Sequence, residues 1–332
     1  MNNMVQRKIK WGILGTGRIA HKFVVDLQLL SKTECIEIVA VGSSALERAC
    51  SFGEKHNIAK RYSSYQELVQ DKDVDVVYIA TANPFHKENT ILCLNAGKAV
   101  LCEKPFAVNK VESEAMIALA REKHLFLMEG MWTRFFPAIM KVKELLAQGV
   151  IGTIKMVRAE FCFVADNKPE NRHFNRELAG GALLDIGVYP VSFASMIFGK
   201  QPSRIKSVAH IGKTGVDEQV AIIFGYEQGG IAALQCSITA YTPSEAYIIG
   251  THGYIHIPKF FWRAETVNLF LKKEQTTTIF SLPPIGFGYC YEILEVARCL
   301  RNNLCESPLM PLDETSAIIS TLDEIREAWK FV

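Results

Sequence analysis

An α/β fold in two domains is predicted for this chain. An N-terminal doubly wound parallel sheet comes first, followed by a C-terminal α/β domain with an open, mostly antiparallel sheet. Three observations predict it. Up to about residue 130, short apolar runs alternate with helical patterns, as in a parallel sheet with helices on both faces. Beyond that point, strand-like segments follow one another through hairpin-like turns such as Glu227-Gln228-Gly229-Gly230, which implies antiparallel pairing. A glycine-rich turn, Gly15-Thr16-Gly17-Arg18-Ile19-Ala20, joins the first apolar run to the first helical pattern. The boundary falls near residue 130, giving domains of 1–130 and 131–332, with no repeat and no low-complexity linker.

The elements follow from the pattern in order. Ile9 to Leu14 reads as a buried strand, and a helix runs from Ile19 to about Leu30. Ile36 to Val41 is a second strand, Ala45 to His56 a helix, and Arg61-Tyr62 a short strand. Ser64-Tyr65-Gln66-Glu67 has the form of a capping box and starts a short helix. Val74 to Ala80 is a strand, Phe85 to Asn95 a helix stopped by Gly97, and Val100 to Cys102 a strand. A helix capped at Asn109 and the strand Leu125 to Met128 complete the first domain. One helix, about Phe136 to Gln148, leads into eight strand-like segments between Ile154 and Phe280. Two helices close the chain, near Tyr289 to Arg301 and Asp313 to Lys330.

Bulk properties narrow the function. The chain has 332 residues, 49% of them hydrophobic, and a net charge of +2. It has no basic run, which argues against nucleic acid or an anionic membrane surface as a main partner. No stretch approaches the ~18 uninterrupted apolar residues of a membrane helix, and the polar start has no signal-peptide form. The nine cysteines are scattered, with no metal-like spacing, so no metal is expected. An odd, unpatterned set suits a reducing cytoplasmic setting.

The glycine-rich turn is a dinucleotide fingerprint of the Rossmann type. Gly15 permits the tight turn, Gly17 lets backbone approach a pyrophosphate, and Ala20 allows close helix–strand packing. The pyrophosphate would lie at the helix N-terminus beside Thr16, Arg18 and Ile19. The second strand ends in Gly42-Ser43-Ser44, where an acid on the ribose 2′-hydroxyl is usual for NAD. With no acid there, Ser43, Ser44 and Arg48 fit a 2′-phosphate, which favours NADP, with NAD as the alternative. A solvated helix face is the competing reading for Arg48. Thr81-Ala82-Asn83-Pro84-Phe85-His86 follows the next strand and suits the nicotinamide ribose. His86 stands there either as a cofactor contact or as a cap or packing residue.

Glu103-Lys104-Pro105 ends a further apolar run at the same crevice. A second block, Gly180 to Tyr189, holds Asp185 and Tyr189 four residues apart, on one face if helical. A carbonyl–alcohol interconversion needs a group to pass a proton to or from oxygen. A tyrosine serves when a nearby lysine favours its phenolate. Lys104, Tyr189 and Asp185 are therefore the candidate catalytic residues. Gly180-Gly181 would let backbone approach a ligand closely.

These motifs resemble the Gfo/Idh/MocA oxidoreductase family, over nearly the whole chain. Met128 to Pro137 and Leu183 to Tyr189 are most similar to its dimeric dihydrodiol dehydrogenase and NADP-dependent D-xylose dehydrogenase branch. The resemblance implies Lys104 and Tyr189 as the proton-handling pair with Asp185 beside them, and a cis Lys104-Pro105 bond. It puts Trp132 and Arg134 near the nicotinamide and substrate, and Trp262 in an aromatic wall of the substrate pocket. Ordinary packing is the competing reading for Trp262. Arg48 stands four residues after Ser44, whereas the branch often has an Arg close after the second strand. The expected protein is a dehydrogenase acting on a sugar or cyclic diol. The alternatives are an inositol or keto-sugar dehydrogenase and a catalytically silent dinucleotide-binding regulator. A homodimer through the C-terminal sheet is expected, with Ile222, Phe224 and Leu234 on its open face.

Overall fold

β1 (Ile9–Leu14) is buried at every position but Lys10, as a strand with covered faces requires. After it come α1 (Arg18–Leu30), β2 (Ile36–Gly42), α2 (Leu46–Lys55), β3 (Lys60–Tyr62), α3 (Tyr65–Gln70), β4 (Val76–Ile79), α4 (His86–Asn95), β5 (Ala99–Glu103), α5 (Lys110–Glu122) and β6 (Leu127–Gly130). The computed structural model describes residues 7–166, 168 and 171–329. The six strands pair in parallel in the order β3-β2-β1-β4-β5-β6. The order reverses between β1 and β4, and ligands of open parallel sheets bind beyond the strand ends at such a switch point.

The second sheet is assembled from later elements. α6 (Pro137–Ala147) and β7 (Ile154–Cys162) precede a π-helical turn, Leu183–Gly187, that runs on into α7 (Val188–Phe198). Then come β8 (Arg204–Ile211), β9 (Asp217–Gly225), β10 (Ile231–Ser237), β11 (Ala246–Gly250), β12 (Gly253–Ile257), β13 (Thr266–Leu271) and β14 (Thr276–Ser281). They order as β14-β13-β12-β11-β7-β10-β9-β8. Every neighbouring pair is antiparallel except β7 and β10, which pair from Met156↔Ile231 to Cys162↔Ser237.

The chain divides into two units. The first comprises the chain up to Ala107, Val111–Trp132 and Ile285–Thr315; the second comprises Val108–Lys110, Thr133–Pro284 and the chain from Ser316 onward. The expected second domain, 131–332, therefore needs correction. α8 (Cys290–Arg301) belongs with the parallel sheet. Buried Asp26 of α1 holds it there, accepting from the backbone N–H of Phe287 at 2.9 Å and of Tyr289 at 2.8 Å. The N–H of Leu127 in β6 also donates to Cys305 O at 3.0 Å. α9 (Leu312–Glu327) closes the described chain. Its expected last residue, Lys330, lies outside the described residues.

Two further expectations differ from the structure. The residue-by-residue pattern gave no helix between Phe163 and Ile205, yet α7 lies there and is buried at nine of its eleven positions. A helix apolar on all sides has no amphipathic stripe to mark it. The helical run Arg176–Phe198 is long and apolar enough to cross a membrane by length and composition, and most of it is buried in the fold. The face assignment of the second sheet is also corrected. Ile222, Phe224 and Leu234 are each 1% exposed, on the side packed by the π turn and α7. The open face carries their neighbours Ala221, Ile223 and Ala233. Strand faces alternate residue by residue, so a one-residue error exchanges them.

Candidate active site

In the first unit the fingerprint turn is built around one close contact. Gly15 has φ +106° at the end of β1, and a β-carbon there would stand 2.8 Å from Ala80 O at the end of β4. Only glycine fits that conformation and that gap. Gly17 then starts α1 in extended geometry with no side-chain cap. A β-carbon on it would have only Ala80 O near, at 4.0 Å. Uncapped N–H groups at a helix N-terminus, with open backbone before them, fit a pyrophosphate. Gly17 and Arg18 are exposed, Thr16 and Ile19 half-buried, and Ala20 is buried against the sheet.

Ser43, Ser44 and Arg48 come together as expected. Arg48 Nε donates to Ser43 Oγ at 3.3 Å and its Nη2 to Ser44 Oγ at 2.6 Å. Tyr65 stands beside them, and burial raises its phenol above the ordinary tyrosine range against the opposing influence of Ser44 and Arg48. The sequence offered no signal for Tyr65 beyond its place next to the Ser64 cap. Two hydroxyls and a guanidinium at the end of β2 suit a phosphate.

At the ends of β4 and β5 the side chains tie loops together. His86 is wholly buried, with Nδ1 2.8 Å from Pro105 O and Nε2 3.1 Å from Thr81 O. Burial pushes its pKa down despite those two acceptors. The ring thus joins the Thr81 loop to the Lys104-Pro105 turn, so its effect on a ligand runs through the backbone it holds. Asn89 Nδ2 donates to Thr81 Oγ1 at 3.2 Å, and Asn83 is 9% exposed. The Lys104-Pro105 bond is cis, as expected. Glu103 accepts from the buried Tyr78 hydroxyl and, at 3.2 Å, from the N–H of Lys104. Glu292 of α8, fully buried close by, was not foreseen; burial, then Glu103, push its carboxyl well above the usual range. Trp132 stacks on Tyr289 at 4.7 Å.

In the second unit Asp185 lies on the π turn and Tyr189 at the start of α7, 3% and 6% exposed. π turns inside helices are frequent at functional sites. Phe161 of β7 lies 5.4 Å from the Tyr189 ring and stacks on Trp262 at 3.4 Å and 7°. Phe260, 39% exposed, tilts against Trp262 at 4.9 Å. Trp262 is therefore part of an aromatic wall that includes Tyr189. Its position is fixed by Thr133 Oγ1, which donates to Trp262 O at 2.8 Å. Phe161 in β7 and Phe163, one residue past its end, were missed, although aromatics at alternate positions of extended chain share a face.

Arg134 serves as a structural tie between the segment after β6 and α7. It is 4% exposed, and its guanidinium holds α7 through Ser192 Oγ at 3.1 and 3.2 Å and Ser192 O at 3.0 Å. Gly180 and Gly181 serve a different purpose from the one expected. A β-carbon on Gly180 would stand 2.6–2.8 Å from the carbonyls of Arg172, His173 and Asn175, and one on Gly181 2.3 Å from Asp217 Oδ1. The backbone approached is the chain's own. That packing brings Arg172 and His173 to Asp185. Arg172 donates to both carboxylate oxygens at 3.2 and 3.1 Å, and His173 Nδ1 lies 2.9 Å from Oδ2. Neither residue belongs to a motif.

Known proteins resemble the chain in both of its units. The profile of the oxidoreductase family with an NAD-binding Rossmann fold matches residues 9–131. That of the GFO/IDH/MocA C-terminal domain matches residues 139–256. The chain is 43% identical over 329 residues to the trans-1,2-dihydrobenzene-1,2-diol dehydrogenase of Mus musculus, covering 96% of each chain. It is 42% identical to that of Homo sapiens, again covering 96% of each. Among solved structures, a 3-ketoreductase from Actinomadura kijaniata in complex with NADP and TDP-benzene superposes with a TM-score of 0.84 at 25% identity, covering 97% of this chain and 98% of that one. With a fingerprint turn at a switch point in one unit and a buried Asp–Tyr pair against an aromatic wall in the other, and with relatives this similar over nearly their whole length, the chain belongs to the Gfo/Idh/MocA oxidoreductase family.

Proposed function

We propose that this chain is an NADP-dependent dehydrogenase acting on a secondary alcohol of a cyclic diol or sugar, and on the matching carbonyl in reverse. The observation that carries this reading is the buried Asp185–Tyr189 pair set against Phe161 and Trp262. An aromatic wall offers a ring or sugar face a surface to stack on, and the tyrosine beside it offers a proton route. The curated relatives are named for a dihydrobenzene diol, which suits such a wall.

The bound nicotinamide supplies the hydride acceptor or donor. Gly15 to Ile19 seat the pyrophosphate, and Ser43, Ser44 and Arg48 take the 2′-phosphate. The loops held by His86 position the nicotinamide ribose. Tyr189 Oη takes the hydroxyl proton as the alcohol is oxidised and returns it on reduction. Lys104 is the lysine that the family resemblance pairs with this tyrosine, and a lysine cation near a phenol favours phenolate and so eases that transfer. The test is NADP⁺ reduction with cyclic vicinal diols and aldoses, and NADPH oxidation with a panel of aldoses and diketones. Turnover of one of these classes is expected. A purified protein that binds NADPH but turns over none of them would reject the reading and favour a silent regulator.

We also propose a homodimer through the open face of the second sheet. Arg158 lies over the Tyr247 ring at 5.0 Å, Tyr247 stacks on His256 at 4.2 Å, and His256 Nε2 stands 3.0 Å from Glu245. Ile223 and Ile231, 48% and 43% exposed, add apolar surface to this polar ladder. Light scattering at micromolar concentration should give twice the chain mass; a monomer rejects the dimer.

A further inference from the structure

Asp185 has more partners than the reaction proposed above requires. Arg172, bidentate on its carboxylate, fixes the plane of that group. His173 Nδ1 stands 2.9 Å from the same carboxylate, off the straight hydrogen-bond line. A carboxylate presents only acceptors, so the imidazole nitrogen facing it carries the ring proton. In the neutral ring Nε2 is then an acceptor with a lone pair to share.

The ring is fixed from two other directions. It meets Phe163 edge-on, at 5.1 Å between centroids and 72°. Phe163 lies 6.3 Å from Phe161, the ring that also meets Tyr189 and Trp262. Beneath it the backbone is pinned, since the N–H of Gly181 donates to His173 O at 2.9 Å. The His173 side chain keeps 13% of its surface accessible. An oriented acceptor, mostly dry, thus stands on the same aromatic wall as the proposed proton-handling tyrosine.

We propose that His173 is a specificity residue. Its Nε2 accepts a hydrogen bond from a substrate hydroxyl next to the one that Tyr189 deprotonates, so the site selects vicinal diols, cyclic or within a sugar, over lone alcohols. This rests on the function proposed above. A site built to hydrogen-bond a hydroxyl rejects the analogue lacking it, because its own polar group is then left unpaired.

The test compares trans-cyclohexane-1,2-diol with cyclohexanol as substrates of NADP⁺ reduction. Wild-type enzyme should favour the diol in kcat/KM. His173→Phe keeps a flat ring against Phe163 but removes the acceptor. It should lose about ten-fold or more on the diol, the scale of one lost hydrogen bond, and much less on cyclohexanol, so that the ratio of the two kcat/KM values collapses. His173→Gln restores an acceptor and should recover part of the preference, which separates lost recognition from lost folding. Equal losses on both alcohols in both variants, or an unchanged preference in His173→Phe, would overturn the proposal. A wild-type enzyme that oxidises diols well but shows no preference over cyclohexanol overturns it while leaving the underlying function intact. A wild type that oxidises neither alcohol, and no aldose, overturns both.

Discussion

Gly181 and Asp217 are built for each other: a β-carbon on Gly181 would lie 2.3 Å from Asp217 Oδ1. The other carboxyl oxygen accepts from the N–H of Leu183 at 2.6 Å. Asp217 thereby fixes the entry to the π turn that carries Asp185. The residue is half-buried overall, but its carboxyl is enclosed, and burial raises its pKa to about 6.

That pKa has a sign in stability. The folded state holds the proton more tightly than the unfolded state, whose carboxyl titrates near the ordinary 3.8. Between about pH 4 and pH 6 the folded state carries more protons, so this group makes stability fall as pH rises. Above about pH 6 the loss is complete. Asp217→Asn keeps an acceptor for Leu183 and cannot titrate. Its Tm relative to wild type should therefore rise from pH 4 to pH 7. A pH-independent difference in Tm between the two proteins would refute this origin of the slope.

Gly181→Ala meets two costs at once. The backbone at φ +113° disfavours any side chain, by roughly 1–2 kcal/mol. The new methyl group also falls on the Asp217 carboxyl. Unfolding in urea should show a lower midpoint with an unchanged slope. The Gly181→Ala, Asp217→Gly double variant should recover part of the loss, because the methyl group then has room. An Ala substitution as stable as wild type would show that the turn relaxes freely.

Cofactor choice should respond to the end of β2. A carboxylate in place of the Ser43 hydroxyl, 3.3 Å from Arg48 Nε, would neutralise the guanidinium and face a 2′-phosphate with like charge. Ser43→Asp should weaken NADP binding by about ten-fold or more, the scale of 1.4 kcal/mol, and leave NAD binding unchanged or improved. Titration of protein fluorescence with both dinucleotides measures this. Unchanged affinities for both would remove this cluster from the adenosine ribose.

Much of the first unit could be read from sequence, because its strands are apolar throughout and its helices are amphipathic. Gly15 and Gly17 were legible for the same physical reason that the structure gives them. Gly180 and Gly181 were legible as glycines that something must approach, but only the fold shows that the approaching groups are Asp217 and the 172–175 carbonyls. α7 was hidden because it has no polar face. Tyr65, Arg172, His173 and Glu292 were hidden because tertiary packing alone brings each to its place; no local spacing marks them. The face of β9 and β10 was misjudged because both parities offer apolar residues there, Ile222 and Phe224 on one side and Ile223 on the other.

Tyr189 carries the last prediction. Its ring is 6% exposed and lies 5.4 Å from Phe161, so Tyr189→Phe preserves the packing and removes only the hydroxyl. Turnover should fall by ~10²-fold or more, the usual scale of general acid–base catalysis. NADP affinity should change little, because the fingerprint turn and the Arg48 cluster lie in the other unit. Lys104→Met should lower turnover too, and should shift the pH–rate profile to higher pH, since a phenol without a neighbouring cation ionises less readily. Steady-state kinetics from pH 6 to 10 on the three proteins decide the matter. Near-normal turnover in Tyr189→Phe would route the proton through Lys104 or water, and an unshifted profile in Lys104→Met would deny the lysine its effect on the phenol.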